Sequence, residues 1–489
     1  MKRQVFNPFL PLDEYIPDVE AHVFGDRVYL YGSHDAEGGK RFCELDYVVY
    51  SAPINDLSEW TCHGVAYKKS QDPRSKPGRP VDLYAPDCVR GNDGRYYLYY
   101  TAMGPNVKNF GPMSVAVSDR PEGPFSYLGD VCFPDGMPMT TFLTGDPAVL
   151  NDNGRIWLYY GWGLGLDLRN KLLAPLYNYV MSKIFDRPVK EIRNTYPHIL
   201  GANVVELEDD MRTVKSGPKR ILDARTTADK KSELYHHAFH EAASIRKIGD
   251  TYYFIWFSGK DGELCYATSK YPDRDFVYRG VIISNCDMGY RGNKRRLAAD
   301  GTNHGSIECI NGQWYVFYHR LTHNTNFSRQ VCAEPITILP DGSIPQVEMT
   351  SCGLNGKPLI ARGVYPAIIC CNLFNKHTHT IGRWKRRQPH ITHDGNDRFI
   401  TDISHGTTIG FKYFEFDDIN KISVRVRRAK GTMLVSTEIG GTALARINLS
   451  NTSEWATFSA PIRIEKGVHA LYFTYKGKGR MDFLEFEVG

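Results

Sequence analysis

The sequence predicts an all-β protein, a five-bladed β-propeller over residues 1–345 followed by a connecting segment and a β-sandwich over residues 346–489. Three observations carry that reading. A hairpin-like unit recurs five times, further apolar strands follow most copies at similar offsets, and beyond about residue 345 the repeat gives way to short alternating strands.

Each unit is a short apolar segment, a turn glycine and an aromatic-rich strand. The copies read AHVFGDRVYLY (Ala21–Tyr31), CVRGNDGRYYLYY (Cys88–Tyr100), AVLNDNGRIWLYY (Ala148–Tyr160), SIRKIGDTYYFIW (Ser244–Trp256) and SIECINGQWYVFY (Ser306–Tyr318). β-Branched and aromatic runs around Gly or Asn-Gly turns are the chemistry of β-hairpins. The turn glycines Gly25, Gly94, Gly154, Gly249 and Gly312 are separated by 69, 60, 95 and 63 residues. Units too small to bury both faces alone stack radially as propeller blades. Later strands at Tyr47–Pro53, Met113–Asp119 and Leu264–Lys270 predict four strands per blade.

The long step contains LRNKLLAPLYNYVMSKIF (Leu168–Phe185), with apolar residues near helical spacing and an interruption at Pro175. It reads as an insertion packed on the propeller rim, or as a lid or dimer contact beside the central channel. It is too short and too interrupted for a membrane anchor.

After residue 345, Ser351–Arg387 is rich in Gly, Pro, Cys and basic residues and reads as a connection and edge. From Phe399 onwards, alternating strands at Thr407–Phe416, Lys421–Arg428, Thr432–Ile439 and Gly467–Val488 predict the sandwich.

Composition excludes several classes of function. A 42% apolar and 24% charged chain is that of a folded globular protein. The net charge of +5 is spread out, and the basic runs Lys294–Arg296 and Lys385–Arg387 are short, so no nucleic-acid partner is predicted. No apolar run approaches the ~20 residues of a membrane span, and MKRQVFNPFLP does not read as a secretory signal. The 11 scattered cysteines, without a CxxC pair, predict a reducing, cytoplasmic setting and no zinc site. Oligomeric state is left open.

Counting back from each turn glycine finds Asp18 and Asp87 at seven residues, and Asp146, Glu241 and His304 at eight. In a propeller the first strand of each blade lines the central channel, so these five are expected to converge there. Converging carboxylates repel and lose solvation, which raises pKa values and marks a functional site. Asp87, in YAPD, reads first as a loop brace and otherwise as a substrate contact. His304, in TNHGS, reads equally as a buried structural histidine, a calcium neighbour or a substrate contact. His236, His237 and His240 precede Glu241, but no second ligand group lies nearby for zinc. Two carboxylates across a pocket, one protonated and one ionised, suit glycosidic bond hydrolysis.

The same residues carry a resemblance. NPFLPLDEYIPDVE (Asn7–Glu20), YAPDCV, GDPAVL, FHEAASIRK (Phe239–Lys247) and NHGSIECINGQWYVFYHR (Asn303–Arg320) are similar, in order and spacing, to the motifs of glycoside hydrolase family 43. The resemblance spans about residues 5–345 and implies a five-bladed propeller with an inverting mechanism. It implies Asp18 as general base, Asp146 as pKa modulator and orienter, and Glu241 as general acid. It also implies Trp162 and Arg320 as substrate contacts and His304 beside a calcium, which is compatible with the family and not required. This chain has Pro17-Asp18-Val19 where many members read PDP, and Glu241-Ala242-Ala243 where many read EGP or EAP. No catalytic group is lost by either change, but a subfamily's substrate does not transfer. The C-terminal strands resemble family 6 carbohydrate-binding modules, as a sugar-binding appendage or as a structural domain that no longer binds; a cytoplasmic setting favours the latter.

The expected activity is exo-acting removal of terminal α-L-arabinofuranosyl or β-D-xylosyl residues from oligosaccharides. A β-D-galactofuranosidase of the same family and a non-catalytic sugar-binding propeller are the alternatives.

Overall fold

The computed structural model describes residues 4–104, 111–139, 144–163, 172–184, 188–190, 192–193, 200–381, 388–450 and 452–489. It is an all-β protein whose first part forms five successive antiparallel sheets. The first contains Glu20–Phe24, Arg27–Tyr31, Tyr47–Pro53 and Thr61–Tyr67, and the second Asp82–Arg90, Tyr96–Met103, Met113–Ser118 and Ser126–Asp130. The third contains Ala148–Asp152, Arg155–Trp162, Gly201–Leu207 and Val214–Asp223, and the fourth Glu241–Ile248, Thr251–Phe257, Glu263–Ser269 and Val277–Ser284. The fifth has three strands, Ile307–Ile310, Gln313–Leu321 and Arg329–Ile336. All five predicted hairpins are present as antiparallel pairs.

The aromatic strands have a simple cause. Side chains alternate across a strand, and the second strand of each sheet is apolar on both faces. In Arg155–Trp162, Ile156, Leu158 and Tyr160 pack against the second sheet, while Trp157 and Tyr159 pack against the fourth. Thr251–Phe257 divides likewise, Phe254 and Trp256 towards the third sheet, Tyr253 and Ile255 towards the fifth. Five separate apolar clusters result, one between each successive pair of sheets and one between the fifth and the first. The order is therefore cyclic. It closes through a parallel bridge between Val19 and Gly305 and through Asn7, whose side chain binds Ala333 and Glu334 on the outer strand of the fifth sheet.

Besides the helical residues Val189, Lys190, Ile192 and Arg193, the insertion contains the helix Ala174–Ile184. Pro175 lies in its first turn, where a missing N–H costs nothing, so it starts the helix rather than interrupting it. Leu168–Lys171 and Phe185 lie outside the described residues. Met181 and Tyr177 pack with Ile192, Leu200, Ala224 and Trp162.

The last third forms two further sheets around one shared apolar core. One is built on Thr408–Phe416, Gly467–Gly477, Gly431–Ser436 and Ala445–Leu449. The other is built on His390–Asp394, Asp397–Ile403, Met481–Val488, Lys421–Arg427 and Ala456–Pro461. The predicted connection is more ordered than its composition suggests. Its short strands Leu359–Ile360, Gly363–Pro366 and Asn372–Phe374 pair with these sheets. Charged contacts tie this part to the cyclic one: Lys412 to Asp287 at 3.0 Å and Glu348 at 2.7 Å, and Arg398 to Glu37 at 2.9 Å. No described helix is long and apolar enough to cross a membrane.

Candidate active site

Just before or within the first residues of the innermost strand, the backbone turns through a left-handed residue in four of the five sheets. These residues are Asp18, Ala85, Asp146 and Ala242, with φ of 58°, 38°, 51° and 68°. Non-glycine residues rarely occupy this region, and such strain concentrates at functional sites. Asp18 and Asp146 put carboxylates at this point. Glu241 stands one residue earlier than Ala242, ahead of a register shift between Glu241 and Ser244.

A cavity of about 140 Å³ is lined by Asp18, Asp146, Glu241, Ala242, Asn303, His304, Thr302 and Arg329, with Phe42 and Tyr84 at its wall. It opens beside a second space of about 280 Å³ that shares Phe42, Tyr84, Asp146 and Glu241 and adds Trp162, Met103 and Thr101. A larger cavity of about 340 Å³ near Glu334, Glu348 and Tyr413 holds no comparable chemistry. Its carboxylates are already engaged by Thr350 and Lys412.

The three acids are held differently. Asp18 Oδ1 accepts from Arg329 Nη1 at 2.8 Å and lies 3.3 Å from His319 Nδ1. Arg329 is fixed in turn by a fork onto Asp35 at 2.8 and 3.0 Å. Burial alone would raise the pKa of Asp18, but Arg329 and then His319 hold the carboxyl well below the usual range. The balance favours its ionised form. Glu241 is the reverse: burial first, then Asp146 and Asp18, push it up to about 8, against Arg329 and a hydrogen bond from Trp162. Burial also raises Asp146, and Asp18 adds to this against the lowering by His304; Asp146 Oδ2 accepts the Ala242 N–H at 2.9 Å. One pocket thus contains one carboxyl whose surroundings favour its ionised form and another whose surroundings favour its protonated form.

Trp162 lines the outer space, as expected of a substrate contact, with its ring 6.1 Å from that of His240. His304 lines the inner pocket, its Nδ1 3.9 Å from Asp18. Two residues stand elsewhere. Asp87 does not line the pocket; it is fully buried, accepting from Val149 N–H at 2.7 Å and pairing with His22 at 2.6 Å. The hairpin after Asp87 has a longer loop, with Gly91 N–H bonded to the carbonyl of Arg95, so counting from Gly94 misplaced it by two residues. Ladder pairing aligns Asp87 with Glu20, facing Tyr99 and Tyr31 respectively, and makes Ala85 the counterpart of Asp18 in that sheet. Arg320 is the second correction. It alternates with His319, so it points away from the pocket, towards Tyr318, Cys332, Cys370 and Cys371.

His237 is engaged by Glu263 at 2.9 Å, and burial lowers His240 to about 4. Neither joins Glu241 in a group of metal-binding atoms among the described residues. Residues missed by the sequence reading are Arg329, His319 and Asp35. The available signal was one arginine opening an otherwise buried strand, RQVCAEPI (Arg329–Ile336).

An all-β frame that sets two carboxyl groups of opposed proton affinity into one sugar-sized pocket has the form of a glycoside hydrolase site. The model for glycosyl hydrolases family 43 matches residues 6–344, and the chain belongs to that family. A xylosidase/arabinosidase from Thermoclostridium stercorarium is 44% identical over 99% of this chain and 99% of its own. Xylosidase/arabinosidase 43A from Humicola insolens is 32% identical over 68% of this chain and 96% of its own. A solved family 43 β-xylosidase/α-arabinofuranosidase from a compost microbial metagenome, in complex with xylotriose in a calcium-free form, aligns with a TM-score of 0.53. It is 28% identical, over 71% of this chain and 99% of that one.

Proposed function

We propose that the enzyme is an inverting exo-glycosidase that removes terminal β-D-xylosyl or α-L-arabinofuranosyl residues from oligosaccharides. The observation that carries this is that Asp18 is held in its ionised form while Glu241, in the same pocket, is pushed towards its protonated form. The terminal sugar occupies the inner cavity, whose 140 Å³ is on the scale of one ring. The next unit lies in the outer space against Trp162. Asp18 takes a proton from water as its oxygen attacks the anomeric carbon. The carbon–oxygen bond to the leaving sugar breaks as Glu241 passes its proton to that oxygen. Asp146 keeps Glu241 protonated and aligned. The names of the relatives, two of them xylosidase/arabinosidases, support this substrate class.

The five cyclic sheets support a five-bladed propeller over residues 1–345, and the two sheets around one core support a β-sandwich over residues 346–489. We read the latter as a structural relative of family 6 carbohydrate-binding modules. Trp455 is packed edge-on to Phe399 at 5.3 Å and under Arg427 at 4.5 Å, which favours packing over sugar stacking. Trp384 lies outside the described residues. Any calcium in the channel would meet few protein oxygens: of the buried atoms there without hydrogen-bond partners, Glu20 Oε1 and Ser244 Oγ are oxygens and His304 Nε2 is not. These would hold it largely through water, and it would supply positive charge beneath the pocket. The 11 free thiols fit a cytoplasmic enzyme acting on small imported substrates.

The test is a panel of nitrophenyl β-D-xylopyranoside, α-L-arabinofuranoside and β-D-galactofuranoside, with the anomer of the released sugar followed by NMR. Cleavage of either of the first two with inversion is expected. Exclusive cleavage of the galactofuranoside, or a retained anomer, overturns the reading.

A further inference from the structure

A second cluster of ligand-type side chains lies apart from the acids, where the C-terminal sheets meet the cyclic part. Glu37 comes from the loop after Arg27–Tyr31, His323 follows Gln313–Leu321, and His393 belongs to the strand His390–Asp394. One donor atom from each lies within 4.8 Å of the other two. Glu37 Oε1 is 3.1 Å from His393 Nδ1 and 3.8 Å from His323 Nε2. Ligands about 2.1 Å from a tetrahedral ion stand about 3.4 Å apart, so these spacings are already close to those of a bound state.

The independent observation is His323. It is only 7% exposed, and neither of its ring nitrogens has a hydrogen-bond partner. Leaving a buried polar group without one is costly, and Nε2 faces the cluster. The ring is fixed against Tyr15, whose centroid is 5.3 Å away and whose hydroxyl also donates to Glu37 Oε1. Arg398 grips both oxygens of Glu37, with Nη2 2.9 Å from Oε2 and Nε 3.2 Å from Oε1, so an ion on Oε1 displaces the Nε contact and leaves Nη2 on Oε2. His393 is 42% exposed along its side chain and gives an ion a route in from solvent.

We propose that Glu37, His323 and His393 form a zinc site that fastens the C-terminal sheets to the catalytic part. Two imidazoles and one carboxylate suit zinc, with water in the fourth position. Calcium and magnesium are disfavoured, because they require oxygen ligands and only one carboxylate is present beside a cationic Arg398. The site differs from the cluster ahead of Glu241, and no cysteine enters it. Glu37 is two residues from Asp35, which grips Arg329 behind Asp18, so an ion here also braces the loop behind the base.

The full-length protein, stripped with a chelator and dialysed, is titrated with zinc alone by calorimetry and thermal melting. One tight zinc per chain and a higher melting temperature are expected, with calcium and magnesium giving neither. His393→Ala changes an exposed side chain, and its melting curve without zinc verifies folding; this variant is expected to lose the tight site. X-ray absorption at the zinc edge is expected to show two imidazoles with oxygen ligands. Absence of tight binding by the parent protein, an undiminished site in His393→Ala, or a spectrum without two imidazoles overturns the proposal.

Discussion

Asp146 Oδ2 accepts a 2.9 Å hydrogen bond from the backbone N–H of Ala242, the residue that directly follows Glu241. Asp146 is thus fastened to the strand that carries Glu241, the proton donor in the proposed mechanism. Its charge is the next cause, after burial, of the raised Glu241 pKa. Asp146→Asn keeps an acceptor oxygen for the Ala242 N–H and removes the charge. On the proposed mechanism the alkaline limb of kcat/KM follows Glu241, whose pKa is pushed up to about 8, and in this variant the limb is expected to move to lower pH, with kcat reduced. A pH profile with an unmoved limb would show that Asp146 does not set the proton affinity of Glu241.

Glu241→Gln removes the proposed proton donor while keeping the shape. General acid catalysis contributes roughly 10²–10⁴-fold, and turnover of unactivated xylo-oligosaccharides is expected to fall by that order. Nitrophenyl glycosides, whose leaving group needs little protonation, are expected to lose much less. Stability supplies a second reading. Folded Glu241 binds its proton more tightly than the unfolded chain does, so its contribution is complete below its ordinary pKa of 4.5 and is lost as pH rises through about 8. Above pH 8 the Gln variant is therefore expected to melt higher than the parent, and a lower melting temperature there would contradict the raised pKa.

Arg329 acts on the other acid. Arg329→Met leaves Asp18 buried without its guanidinium, so burial is then opposed chiefly by His319. The acid limb of kcat/KM is expected to rise towards neutrality as Asp18 begins to hold a proton. Since Asp35 also loses its partner, Asp35→Asn serves as the structural control and is expected to leave the acid limb nearly in place. An equal shift in both variants would assign the effect to loop disorder rather than to charge.

The repeat was legible because both faces of strands such as Ile156–Tyr160 are buried, which forces apolar and aromatic runs at every copy. Asp18, Asp146 and Glu241 were legible because each lies just ahead of a hairpin whose turn the sequence marks. The glycine was an imperfect ruler. It is the first residue of the turn after Ile248 and the second after Asp152, so Glu241 and Asp146 share an offset while standing one residue apart in the ladder. Asp87 fell out of register for the same reason. Arg329, His319 and Asp35 depend on contacts between the two ends of the cyclic part, and no local pattern records those. His319 and Arg320 are neighbours in one motif, and only strand alternation decides which faces the pocket.

Below the pocket, Arg246 lies buried in the channel with Nη2 3.0 Å from Glu20, Nε 3.2 Å from Glu308, and further bonds to the carbonyls of Ala21 and Ile245. It joins strands of the fourth, first and fifth sheets at their common centre. Burial and the neighbouring Asp87 raise the Glu20 pKa, and Arg246 is the main group opposing them. Removing one member of a buried ion pair costs about 3–5 kcal/mol, because the partner is left uncompensated. Arg246→Met is expected to lose stability on that scale in urea unfolding, most severely at high pH, where Glu20 must ionise. Adding Glu20→Gln to the same chain removes the stranded charge and is expected to recover part of the loss. If the double variant is as unstable as the single one, Arg246 serves packing between sheets rather than the charge balance of the channel.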